Sequence, residues 1–90
     1  MAVYVDSMRA RFGRMVMCHM LADSDLELHA MAARIGVERR WYQKAGTPHS
    51  HYDICLSKRA LAVKAGAMEV DRAELAAVIR RKRQACAQQC

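Results

Sequence analysis

Met15-Val16-Met17-Cys18-His19-Met20-Leu21-Ala22 decides how the rest of this chain is read. It is the most apolar run in the sequence, and its length alone does not separate a short strand from two helical turns. The residues after it settle the choice. Ser24-Asp25-Leu26-Glu27 is a capping box, in which Ser24 accepts from the Glu27 N–H while the Glu27 side chain reaches back. A helix that starts there makes the preceding run a strand. His19 is the one polar side chain inside it. Either it is a satisfied core histidine or it projects from the strand into a site.

Downstream of the capping box, Leu28, Met31, Ala32 and Ile35 recur at helical spacing and form a buried stripe, which Gly36 closes. Asp25 and His29 lie on another side as an i,i+4 pair, which leaves His29 half exposed. Val37 to Tyr42 reads as a strand. Its Arg39-Arg40-Trp41-Tyr42 run combines cations with aromatic faces, a pairing that suits phosphate contact and base stacking. The plainer reading makes Trp41 a core or rim anchor. Gln43 to Ser50 is a loop holding the only proline, Pro48, and His51-Tyr52-Asp53-Ile54 leads out of it. Ser57 is the expected cap of a second helix through about Ala65, with Leu61 and Ala65 facing inward and Gly66 stopping it. Met68-Glu69-Val70 reads as a short strand. Asp71-Arg72-Ala73-Glu74 is a second capping box, followed by the apolar stripe Leu75, Val78, Ile79 and the basic run Arg80-Arg81-Lys82-Arg83. That run complements the negative end of its own helix dipole.

Upstream, Ala2-Val3-Tyr4-Val5 reads as a buried strand ended by Asp6-Ser7. Arg9 to Arg14 reads as a basic loop around Gly13, where Arg11 and Arg14 could meet a phosphate or simply face solvent. Strands alternating with helices predict an α/β (or α+β) fold, with three to four short strands and three helices packed on them. One globular domain is expected over 1–84, with 85–90 a flexible tail.

Composition bounds the function. The chain has 90 residues and is 53 % apolar, which argues against disorder. Seven Met against three Tyr, one Trp and one Phe make an adaptable apolar surface, so a homo-oligomer, a dimer first, is expected. Fifteen Lys and Arg against nine Asp and Glu give a net charge of +6, which favours polyanionic partners such as nucleotides or nucleic acid. No apolar run is long enough for a membrane span, and charge arrives at Asp6 too early for a signal peptide, so a cytoplasmic location is expected. Cys18 and Cys55 read as buried free thiols, and Cys86 and Cys90 fall in the tail. No CxxC pair is present, which disfavours a structural zinc site.

Several of these stretches together resemble a known family. They are Val3-Tyr4-Val5-Asp6, Phe12-Gly13-Arg14, Cys18-His19-Met20 with Asp23, Glu27-Leu28-His29-Ala30-Met31-Ala32, Trp41, His51-Tyr52-Asp53-Ile54 and Ala65-Gly66-Ala67. In order and spacing they are similar to a domain-of-unknown-function family, numbered 4031, of bacterial and tailed-phage proteins. The resemblance runs from residue 2 to about residue 70. It brings no activity with it. It implies that His19, His29 and His51-Tyr52-Asp53 are the polar signature.

Four functional readings follow. The first is a binding module for a nucleotide or nucleic-acid phosphate, with Arg11, Arg14, His29, Arg39, Arg40, Trp41 and Tyr52 as ligand-binding residues. The second is a small phosphodiesterase-like or nuclease-like hydrolase, with His19 and His51 as acid and base and Asp53 orienting one of them. The third is a metal site through His49 and His51, which share a face if extended, with His19 or Asp53 completing the set. A lone His-x-His is a weak signal, so neither a metal nor a cofactor is expected. The fourth is structural, with His51 and Asp53 tying down the central loop in an interaction module. The His51-Tyr52-Asp53 kernel makes a site only if His19 and His29, distant in sequence, come to it in the fold.

Overall fold

The run 15–22 forms a strand, and it is the spine of the sheet. In a computed structural model that describes residues 2–89, with side chains except at Phe12 and residues 86–89, β3 (Met15–Ala22) pairs along both its edges. The thiol readings at Cys86 and Cys90 lie outside the described residues. On one edge of β3 stand β1 (Val3–Val5), antiparallel with Val5 opposite Met20, and β2 (Ala10–Phe12), with Arg11 opposite Val16. On the other edge stands β5 (His51–Cys55), with Cys18 opposite Ile54, His19 opposite Asp53 and Met20 opposite Tyr52. β4 (Tyr42–Gln43) extends the sheet beyond β5, and β6 (Met68–Glu69) runs parallel to β1. The order is β4-β5-β3-β1-β6, with β2 off that path on β3.

Side chains on a strand alternate between faces, and the sequence uses that alternation to build two different surfaces. Val3, Val5, Met20, Ala22, Tyr52 and Ile54 point to one face. There α1 (Asp25–Ile35) contributes Leu28, Ala32 and Ile35, and α2 (Leu56–Lys64) contributes Ala62, to close the main core. On the opposite face Tyr4 packs with Val70 and with Val78 of α3 (Arg72–Gln89), while Leu75 joins from the rim. The helix therefore leans on the β1 side of this second face. The part carried by β5 is only partly covered, and it holds the polar residues described below.

Local signals account for the helix ends. Ser24 Oγ accepts from the Glu27 N–H at 3.3 Å, and Gly36 takes the left-handed conformation at φ 81°. At the start of α3 the box is reciprocal, with Glu74 N–H donating to Asp71 at 2.8 Å and Asp71 N–H to Glu74 at 3.0 Å. Helical backbone continues to Gln89.

Several expectations need correction. The mixed sheet has six strands, more than the three to four expected. The Arg9–Arg14 segment is a hairpin arm, because Gly13 at φ 62° turns β2 back onto β3 and an edge strand leaves Arg11 in solvent. Val37 to Tyr42 is mostly a turn of 3₁₀ helix, Arg39–Trp41, and only Tyr42 and Gln43 pair as strand. Trp41 is 55 % exposed and anchors no core. Ser57 does not cap α2. The strand runs straight into the helix with Cys55 at the N-cap, and Ser57 Oγ sits 3.2 Å from Cys55 Sγ. Leu61 faces solvent, and Ala62 is the buried residue of that turn. Among the described residues, no helix is long and apolar enough to cross a membrane.

Candidate functional site

The alternation that builds two faces also divides the His51-Tyr52-Asp53 run. His51 and Asp53 point to the open face, and Tyr52, fully buried, points into the core beneath α1. The β3–β5 register sets His19 beside Asp53 on the open face. The rings of His19 and His51 meet edge to face, with centroids 5.1 Å apart. His19 Nε2 is 3.6 Å and His51 Nε2 3.4 Å from the same oxygen, Asp53 Oδ1.

A second carboxylate completes the cluster. Asp6, which follows β1, is buried and clasps His19 twice. Its Oδ1 accepts the His19 backbone N–H at 2.7 Å, and its Oδ2 lies 2.8 Å from His19 Nδ1. Ionised Asp6 has only acceptors, so His19 Nδ1 carries the proton and donates. His51 Nδ1 lies 2.8 Å from the His49 carbonyl oxygen, another pure acceptor, so it too carries a proton. In that tautomer the lone pair of each ring is on Nε2, and both Nε2 atoms lie against Asp53. Gln43 on β4 donates through Nε2 to Asp53 Oδ2 at 2.8 Å, which leaves Oδ1 for the two histidines.

His29 belongs to a different network. From α1 it meets the hydroxyl of Tyr52 at 2.7 Å and stacks edge to face on Tyr42 at 4.5 Å. Burial, then repulsion from Arg39, lower the His29 pKa, while burial raises that of Tyr52. Both shifts favour a hydrogen bond between two neutral groups, a phenol and an imidazole. Nearby, Tyr42 and Ser50 both donate to Asp25 at 2.8 Å, and Lys82 of α3 reaches Ser50 at 3.2 Å. Burial pushes the Asp25 carboxyl up, but the Ser50 and Tyr42 hydrogen bonds, with Lys82, hold it below its ordinary value. This network ties the 43–50 loop to α1 and α3. The expected convergence of three histidines is therefore corrected: His19 and His51 meet, and His29 is on the other side of the sheet with Tyr52.

The open face borders a cleft of about 610 Å³ that includes Arg11, His19, Trp41, Gln43, Asp53 and Lys58 in its walls. His19 also lines a second hollow with His49, His51 and Leu75. Of the arginines singled out in the sequence, only Arg11 reaches the larger cleft. Arg14 and Arg39 are exposed outside it, and Arg40 pairs with Glu38 at 3.1 Å and lies over the Trp41 ring at 5.0 Å. Sequence reading missed Asp6, Gln43 and Lys58. The signal for Asp6 was a carboxylate placed directly after a buried strand, which was read only as a strand end. Burial pushes the Cys55 thiol up, but the Ser57 hydroxyl and backbone N–H groups at the start of α2 more than offset it.

Comparison with known proteins adds one finding. A family model described as "Protein of unknown function (DUF4031)" matches residues 3–82. No curated protein and no solved structure matches the chain.

Proposed function

Since the chain belongs to the DUF4031 family, for which no function is described, we propose its role from the site: it binds a phosphate ester of the nucleotide or nucleic-acid class in the cleft beside His19 and Asp53. The observation that carries this reading is the meeting of Arg11, Lys58 and the exposed ring of Trp41 around that cleft. A guanidinium offers forked donors to phosphate oxygens. An exposed aromatic face stacks on a base, a contact worth about 1–3 kcal/mol. The net charge of +6 raises the local concentration of such anions.

Trp41 is the only tryptophan, so its fluorescence reports the test directly. Titration with nucleoside monophosphates or a short single-stranded oligonucleotide at low salt should quench it. Arg11→Ala should weaken the response about tenfold, the loss of one charge-assisted hydrogen bond. An unchanged spectrum and no retention of oligonucleotide at low salt would sink the reading.

Hydrolysis is the second reading, favoured by the 2.8 Å contact that orients His19 through Asp6. A ring fixed at Nδ1 by a carboxylate presents Nε2 as a base to whatever enters the cleft. Turnover of an activated phosphodiester should vanish in His19→Ala while the melt stays cooperative. Equal turnover in variant and parent would exclude it.

A further inference from the structure

Two imidazole lone pairs and a carboxylate oxygen all face one another at the centre of the open face. Asp6 and the His49 carbonyl hold the protons on the two Nδ1 atoms, and Gln43 holds the far oxygen of Asp53. Nε2 of each ring and Oδ1 of Asp53 are then three acceptor atoms that converge on one point. The two Nε2–Oδ1 contacts share that one oxygen. At 3.4 and 3.6 Å, both are longer than a good hydrogen bond. A metal ion serves all three groups at once. With bonds of about 2.0–2.1 Å in tetrahedral geometry, neighbouring donor atoms sit roughly 3.3 Å apart, close to the separations found. The donor atoms of His19, His51 and Asp53 lie within 4.8 Å of one another.

We propose that His19 Nε2, His51 Nε2 and Asp53 Oδ1 bind one divalent first-row transition ion of the zinc class, leaving a coordination position toward the cleft. Two imidazoles and one carboxylate favour such an ion over magnesium or calcium, which prefer all-oxygen shells. Each ligand already has the outer partner that metal-binding side chains normally have: a carboxylate or carbonyl on the far nitrogen of each histidine, and an amide on the free oxygen of the aspartate. None of the three ligands is closed off, with side chains 27 %, 14 % and 36 % exposed in that order, so an ion has a path in. The donor set keeps His51, with both His19 and Asp53 in place of His49, whose backbone carbonyl holds the far nitrogen of His51. The proposal stands on this geometry and does not rest on phosphate binding. If both hold, the ion gives an anionic ligand a positive centre beside the carboxylates of Asp6 and Asp53.

The test uses untagged full-length chain carrying Cys86→Ser and Cys90→Ser, so that neither tail thiol competes. After metal is stripped with a chelator, titration with Co²⁺ should produce a visible ligand-field band that saturates at one ion per chain, and Zn²⁺ should displace it. Zn²⁺ should also raise the melting temperature. Asp53→Asn and His51→Ala should each abolish the band and the melting shift. Asp6→Asn should weaken binding by about 10–100-fold, as the loss of an outer partner does. Asp53→Asn keeps shape at a half-exposed position, so it decides the matter even if His51→Ala folds poorly. No band and no melting shift in the parent would overturn the site, and so would binding that survives both ligand substitutions. Metal binding without nucleotide quenching of Trp41 would overturn the phosphate reading alone.

Discussion

Asp53 and its neighbour Tyr52 are adjacent in sequence and serve different ends. Tyr52 is wholly buried, and its hydroxyl meets a neutral His29. Tyr52→Phe should therefore cost about 1 kcal/mol, the net worth of one hydrogen bond. That corresponds to a fall of about 4–8 °C in melting temperature for a domain of this size. Ligand and metal binding should be unaffected. Asp53→Asn should do the reverse, with a melt close to the parent and binding lost. Thermal melts and titrations of the two variants check this, and a Tyr52→Phe protein that melts like the parent would refute it. His29 makes a second prediction. Burial and Arg39 depress its folded pKa below the ordinary 6.5, so the unfolded chain takes up a proton that the native state refuses. Stability from His29 is full above that value and is lost as pH falls through the folded one. Asp25, also depressed, adds a further loss below its ordinary 3.8. His29→Gln should flatten the first loss and leave the second. Coincident stability curves for His29→Gln and parent just below pH 6.5 would contradict it.

Elements whose signals are local were legible, and those whose partners are distant were not. The strand at 15–22 and both capping boxes could be read because each depends on residues within a few positions. The hairpin arm at Ala10–Phe12 alternates apolar and polar residues over too few positions to announce a strand, and it becomes one because β3 has a free edge for it. The turn at Arg39–Trp41 has no side-chain cap to announce it. For the site, the chemistry of His19, His51 and Asp53 was visible from residue type. Their meeting, and the loss of His29 from it, follow from a strand register that no local pattern states. Asp6 was passed over for the same reason. The clearest local device gives an element-scale prediction. Asp71→Ala removes the hydroxyl-free cap of α3, whose side chain accepts the Glu74 N–H at 2.8 Å. It should cost about 1 kcal/mol. The helix leans on the sheet through Val78 and Leu75 alone of its stripe in that small cluster, so the loss should appear first as faster amide exchange in α3. Uniform exchange across the whole chain would instead mean that α3 opens only with global unfolding.

At the scale of the whole molecule, charge and site belong to different parts of the surface. Nine of the fifteen Lys and Arg behind the net charge of +6 lie in the hairpin arm, the 39–40 turn and the 80–83 run of α3, while the cleft itself holds Arg11 and Lys58 against Asp53 and Glu38. Long-range attraction and local recognition should therefore separate experimentally. For a single-stranded oligonucleotide, the logarithm of affinity should fall linearly with the logarithm of salt, with a slope of about −0.7 per phosphate neutralised. Replacing Arg72 and Arg80, exposed on α3 and outside the cleft, by Gln should make that slope shallower, because two remote cations leave the field. A nucleoside monophosphate, too small to span the surface, should show little change in the same variant, and Arg11→Ala should weaken it at every salt concentration. If the α3 substitutions weaken the monophosphate as much as Arg11→Ala does, binding is diffuse attraction to a basic surface and the cleft has no special part in it.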